Sequence, residues 1–416
     1  MKNSTTLMFL LGSLVLVLMI SACSDDGSLG ADAQVDGWVE DGDRTIQDGD
    51  VEDADDHPPD AEIDPTWCQD PDNPLEAPGT DPNGIQIPGT GEGDFIYMSW
   101  SGTHVGFSEG EEWEGSLYPV LHLFDLELWQ EVFTTQPEWQ AGWFAMYGGE
   151  LFWGDKRYPS NDYNQTDVFR LDVNTLMETR LTDTPEIKEF PIMANNEYLL
   201  LDIFEKEVGD RDTYVVTRST WDSTLLAYSG VGAEGFDMSE NYVSWVAHSA
   251  PMVPGRLVHF YDLDTGELSV VDDPGAEVGF GTAVHGERIV WEDYRNGNYD
   301  IYMYDISSGE VTALTDSPYD QMGPRLTGNL VVFMDYSYTR GHYGGCFCHL
   351  TILDVSTMEK RRITTNPLFW CSGGRRIIDG KLLACQWGKL QTVSFWLFDL
   401  VEMGILDSTG QHVLPE

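Results

Sequence analysis

The sequence predicts an all-β fold, a seven-bladed β-propeller, on three observations. An Asp closes a short apolar segment at Asp125, Asp172, Asp262, Asp305, Asp354 and Asp399, and Arg218 holds the matching place in TYVVTR. These markers recur every 43 to 49 residues, near the period of four-stranded propeller blades. A second set of segments is apolar on consecutive residues, as strands covered on both faces are. They are FIYMSW near Trp100, LFWGD near Trp153, YLLLD near Asp202, YVSWV near Trp245, RIVWED near Trp291, LVVFMD near Phe333 and LLACQW near Cys385. Third, no long stretch carries helical spacing, and blades sandwiched between blades supply the double burial those strands require.

The chain of 416 residues carries a formal net charge of −49. Nucleic acid, whose phosphates require Lys and Arg, is excluded as a partner, and so is charge-driven docking on anionic lipid. From the start, Lys2 precedes an apolar run over Leu7–Ile20, too short to span a bilayer comfortably but suited to a signal-peptide core. It ends in Ile20-Ser21-Ala22-Cys23. An aliphatic residue, two small residues and a Cys resemble the lipobox of bacterial lipoproteins. That resemblance implies a signal peptide over residues 1–22 and diacylglycerol on Cys23, with the membrane as a partner through that lipid. Ser24 stands where such proteins often carry Asp when held at the inner membrane, so an outer-membrane location in the cell envelope is expected.

Residues 23–80 are expected to form a disordered, Asp-rich tether. Between Ser24 and Asp81 the chain has 20 carboxylates against Arg44 alone, with almost no apolar periodicity. Such a segment cannot bury enough surface to offset its ordering entropy. Its Asp-x-Asp pairs lack the register of a calcium loop. The propeller should then occupy residues 81–416. How its ring closes is left open by the pattern, since a first strand (about Ile85 to Gly91) and a last strand (about Met403 to Asp407) both look present.

In the two clearest units, Gly281–Thr315 and Gly323–Thr364, the third strand is followed by a polar turn and a strand ending in Leu-Thr or Ile-Thr. Asp293-Tyr-Arg295-Asn296-Gly297-Asn298-Tyr-Asp300-Ile301-Tyr302 resembles the D-x-R-x-G-x-x-D-I-Y turn of TolB-type periplasmic propeller repeats, and Asp155-Lys-Arg157 with Asp167-Val168-Phe169 is a stretched copy. The resemblance covers about residues 85–406. The TolB family's own α/β domain is replaced here by the tether, so its partners do not carry over.

In such a blade, the loop between the second and third strands and the connection to the next blade emerge on one face, the usual binding face. Arg157 and Arg295 fall in second-to-third loops, where pairing with Asp155 and Asp293 would pin the hairpin. Trp139, Trp143, Phe369 and Trp370 fall in connections between blades and could stack on sugar rings or plug the propeller mouth. Trp100, Trp153, Trp245 and Trp291 are expected at one strand position, in the core. His104, His248 and His342 are expected in second-to-third loops, hence on that face. Propeller lyases acting on oligogalacturonate use a histidine-based metal site on such a face, but their spacing and Gln are absent here. No metal or other cofactor is therefore expected.

Export implies an oxidising compartment. Cys346-Phe-Cys348-His349 is one residue short of a haem-attachment motif. A bridge from Cys346 or Cys348 to Cys371 is expected, with Cys68 partnering the other, and Cys385 as a buried free thiol. No nucleophile elbow, phosphate loop or zinc-protease motif appears. The leading expectation is a binding module for an envelope protein or glycan; the second is a polysaccharide lyase or glycoside hydrolase.

Overall fold

The computed structural model describes residues 81–411, apart from residues 89–94, 114–115, 159–164, 185–186, 206–210, 229, 251–254, 338–347, 366–376 and 388–392. The expected leader, Cys23, the tether with Cys68, and His342, Cys346, Phe369, Trp370 and Cys371 lie outside the described residues.

The described strands form seven antiparallel sheets of four strands each, the predicted seven blades. From the innermost strand outward, blade 1 is Phe95–Trp100, His104–Trp113, Ser116–Asp125 and Gln130–Thr134. Blade 2 is Phe144–Tyr147, Glu150–Asp155, Asp167–Asp172 and Met177–Arg180. Blade 3 is Ile187–Ala194, Tyr198–Glu205, Arg211–Thr217 and Ser223–Ala227. Blade 4 is Glu234–Met238, Tyr242–His248, Arg256–Asp262 and Leu268–Val270. Blade 5 is Val278–His285, Arg288–Asp293, Asp300–Asp305 and Glu310–Ala313. Blade 6 is Gln321–Thr327, Leu330–Asp335, His349–Asp354 and Glu359–Arg362. Blade 7 is Ile377–Ile378, Lys381–Trp387, Val393–Asp399 and, outermost, Gly84–Gln86.

That last strand settles how the ring closes. Gly84, Ile85 and Gln86 pair with Phe398, Leu397 and Trp396, so the N-terminal strand completes the C-terminal blade. The expected last strand over Met403–Asp407 is instead a turn, folded back by Ile405 and Leu406 N–H groups that both donate to the Leu400 carbonyl. The phase of blade 1 is corrected with it. FIYMSW is its innermost strand, Trp100 therefore does not share the position of Trp153, Trp245 and Trp291, and the second strand is His104–Trp113.

Two chemical devices explain the repeat. The marker Asp at the end of the third strand accepts backbone N–H groups two or three residues on: from Glu127 and Leu128 at Asp125, Asn174 and Thr175 at Asp172, and Asp264 and Thr265 at Asp262. Asp305, Asp354 and Asp399 do the same. These are Asx turns, which set the hairpin into the fourth strand. Thr135, Thr182, Thr315 and Thr364, just past the fourth strand, accept the N–H groups of Leu121, Val168, Ile301 and Leu350 through their hydroxyls at 2.8–3.1 Å. Each of these threonines, three of them in a Leu-Thr or Ile-Thr pair, thus ties the end of its blade to the third strand.

Seven buried apolar clusters occupy the seams, one between each pair of consecutive blades. Trp153, Trp245 and Trp291 are at most 1% exposed and fill three of them. The closing seam joins Met98, Val105 and Phe107 of blade 1 to Leu383, Phe395 and Leu397 of blade 7, with Ile87 buried among them. Burial of this kind, at roughly 25 cal/mol per Å² of apolar surface, is the main force holding the ring shut.

The cysteines depart from expectation. Cys348 is buried and is not disulfide-bonded, against the expected bridge. Cys385, expected to be free, is disulfide-bonded.

Candidate functional site

Strand direction sorts the loops into two ends. Second-to-third loops and blade-to-blade connections share one end, and the Asx turns mark the other. Trp139, Trp143, Arg157, His248 and Arg295 all lie at the first end. His104 does not. It opens the second strand of blade 1 opposite Asp125, at the Asx-turn end, and is 7% exposed. Its Nε2 lies 3.5 Å from Asp125, and burial, against the pull of Asp125 and Glu127, pushes its pKa down.

Both arginines are fixed from below. Asp293 is fully buried and accepts from Trp291 Nε1 at 3.0 Å, and from Arg295 at 2.9 Å through Nε and at 2.7 Å through a terminal nitrogen. Arg295 also reaches Asp273 at 2.6 Å and lies 4.0 Å over the Tyr302 ring. Blade 2 repeats the arrangement: Trp153 Nε1 and Arg157 donate to Asp155, and Arg157 spans Glu178 at 2.6 Å. The Arg157 guanidinium sits 3.8 Å from the Trp139 ring centroid and 4.2 Å from that of Phe169. Trp139 is thereby half-buried packing. His248 Nδ1 is 2.9 Å from the Gly255 carbonyl. Trp143, by contrast, is exposed, and so are Tyr158, Tyr228, Phe280 and Tyr294 at the same end.

A second assembly, in blade 1, has no counterpart among the sequence expectations. His122, in the middle of the third strand, stacks on Phe107 with ring planes 13° apart. It is 7% exposed, with Nδ1 3.0 Å from Glu131 Oε2. Its Nε2 is buried without a hydrogen bond, 3.5 Å from Glu109 Oε1 and 3.6 Å from Glu111 Oε1. Burial raises the pKa of Glu109, His122 opposes this, and Glu111 and Glu131 raise it further. Glu109, His122 and Glu131 border a cavity of about 290 Å³ walled by Pro88, Phe124 and Trp129. Pro88 reaches it on the segment leaving the ring-closing strand, so the cavity lies at the junction of blades 7 and 1. VLHLFD puts a His where blades 2 and 5 have Phe169 and Tyr302, but blade 4 has His259 there too. The signal is therefore that His together with the Glu109 and Glu111 pair. Placing FIYMSW as the second strand hides it, because Val105–Trp113 then becomes a loop.

These sites sit on a propeller of a widespread kind. The chain is similar to the β-propeller domain of the Trilobed protease from Pyrococcus furiosus, at 13% identity over 74% of this chain and 95% of that one, with a TM-score of 0.54. It is similar also to puromycin hydrolase, at 12% identity and a TM-score of 0.55, covering 81% of this chain but only 57% of the hydrolase. TolB from Acinetobacter baumannii is among the structural neighbours, at 12% identity and a TM-score of 0.37, an overlap too loose to argue from. At these identities the likeness establishes the fold. No protein-family model and no curated protein matches the sequence.

Proposed function

We propose that the chain is a membrane-anchored lipoprotein of the cell envelope, lipidated at Cys23, whose propeller binds an envelope protein or glycan. The anchor rests on the Ile20-Ser21-Ala22-Cys23 motif behind a short apolar run. Lipoprotein acylation supplies more than one chain, enough for durable attachment. The observation that carries the binding role is the set of five exposed aromatic side chains at one end of the propeller: Trp143, Tyr158, Tyr228, Phe280 and Tyr294. Arg157 and Arg295, paired with buried Asp155 and Asp293, fix the backbone next to Tyr158 and Tyr294, which lowers the ordering cost of binding at those two rings. Rigid amphipathic rings suit both sugar faces and protein hot spots.

The test has two arms. Cys23→Ala should move the protein from the membrane to the soluble fraction of its host. A pull-down from envelope extract and a glycan array should each be run with the native protein and with Trp143→Ala/Tyr294→Ala, which should lose the bound species. Retention of that species by the double variant, or turnover of a polyuronide by the native protein, would replace the binding module with another surface or with the lyase reading.

A further inference from the structure

We propose that blade 1 holds a divalent metal ion of the zinc type, ligated by His122 Nε2, Glu109 and Glu111, with Glu131 orienting the imidazole. Blades 2 and 5 supply the precedent. Aligning second-to-third strand pairs on His104 with Asp125, Glu150 with Asp172 and Arg288 with Asp305 places equivalent residues together. Phe107 and His122 then fall where Trp153 and Phe169, and Trp291 and Tyr302, stand as stacked pairs. Glu109 takes the place of Asp155 and Asp293. Glu111 takes the place of Arg157 and Arg295.

In blades 2 and 5, therefore, a guanidinium neutralises the buried carboxylate and covers the third-strand ring at 4.2 and 4.0 Å. Blade 1 keeps the carboxylate and replaces the cation with another carboxylate. Among the described residues, no Lys or Arg pairs with Glu109, Glu111 or Glu131; His122 is their partner. A positive charge belongs at this position by the protein's own precedent, and the cavity stands open beside it.

The histidine selects what that charge is. With Nδ1–H donating to Glu131, the Nε2 lone pair is left bare, buried and aimed between two carboxylate oxygens. A carboxylate on the far nitrogen of a metal-binding histidine is the usual way the ring is fixed and made more basic. The three donor atoms lie within 4.8 Å of one another. The N···O separations of 3.5 and 3.6 Å are close to the edge of about 3.4 Å that a tetrahedral ion with ligands near 2.1 Å requires. Three protein ligands leave one position of such an ion to solvent or to a small anionic ligand in the cavity. The metal site is independent of the aromatic face.

The full-length protein, stripped with chelator, should be titrated with Zn²⁺ by calorimetry and with Co²⁺ by visible absorption. Excess Ca²⁺ in the buffer suppresses binding by scattered carboxylates. One tight equivalent with a tetrahedral Co²⁺ spectrum is expected. Glu111→Gln, at a side chain 42% exposed, should weaken that equivalent at least about 10-fold, as should Glu131→Gln. His122→Gln should abolish it, and the melting temperature in chelator should be unchanged for Glu111→Gln. No tight equivalent in the native protein would overturn the proposal. So would identical Zn²⁺ titrations for the native protein and Glu111→Gln.

Discussion

At the scale of single residues, the ring contains carboxyl groups whose burial has consequences for stability. Glu189, on the innermost strand of blade 3, is 6% exposed, and its Oε2 is buried without a hydrogen bond. Burial, against a hydrogen bond from Thr182 and reinforced by Asp167, pushes its pKa from 4.5 up to about 7. Between those values the folded protein binds more protons than the unfolded chain, so stability falls as pH rises from about 5 to about 7. Glu189→Gln removes this loss. In urea titrations the variant should gain up to about 3 kcal/mol on the native protein at pH 8 relative to pH 5, because each tenfold change in proton affinity on folding is worth about 1.4 kcal/mol. Parallel pH profiles for the two proteins would show that the Glu189 carboxyl does not titrate differently on folding. The pairs Asp155–Arg157 and Asp293–Arg295 are legible in the sequence because they repeat with a short fixed spacing. The role of His122 is not, since its three carboxylate neighbours come from two other strands whose register no single segment reveals.

At the scale of strands and hairpins, close approach between blades governs what can be substituted. A Cβ at Gly154 would lie 2.4 Å from the Glu189 carbonyl oxygen and 2.9 Å from Thr166 Cγ2. Backbone cannot yield there as a side chain would, so Gly154→Ala should cost about 1–3 kcal/mol. Gly281, in blade 5, meets nothing within 4 Å, and Gly281→Ala should stay within about 0.5 kcal/mol in the same denaturation measurement. The same close packing explains why the sequence misleads in blade 1 while it places the second strands of the other six blades correctly. Gly106 stands on the second strand of blade 1 because the Phe144 ring of blade 2 fills that volume, 2.7 Å from any added Cβ. Glu109, Glu111 and Glu112 follow it. A strand so interrupted by glycine and carboxylates loses the unbroken apolar run that marks its counterparts, and the preceding FIYMSW imitates it. The Asp markers keep their phase because Asx-turn chemistry is local.

At the scale of the whole molecule, seven seams make one ring, and its last seam depends on three residues of strand. Deleting residues 81–88 would remove the outermost strand of blade 7 and Ile87, fully buried in the closing cluster. The third strand of that blade, Val393–Asp399, would then present unpaired backbone groups, the usual template for intermolecular pairing. The truncated protein should melt at lower temperature and elute as oligomers in size-exclusion chromatography; a monomer of native melting temperature would show the strand to be dispensable. The latch also imposes an order on assembly. Gly84 meets Phe398 across more than three hundred intervening residues, a loop whose closure costs about 5 kcal/mol of chain entropy. During synthesis that first strand emerges early and must wait for the last blade before it finds its partner. A chain that stalls or is clipped before Val393 therefore has no seat for its own beginning, and a sealed propeller is a sign that translation of the domain ran to completion.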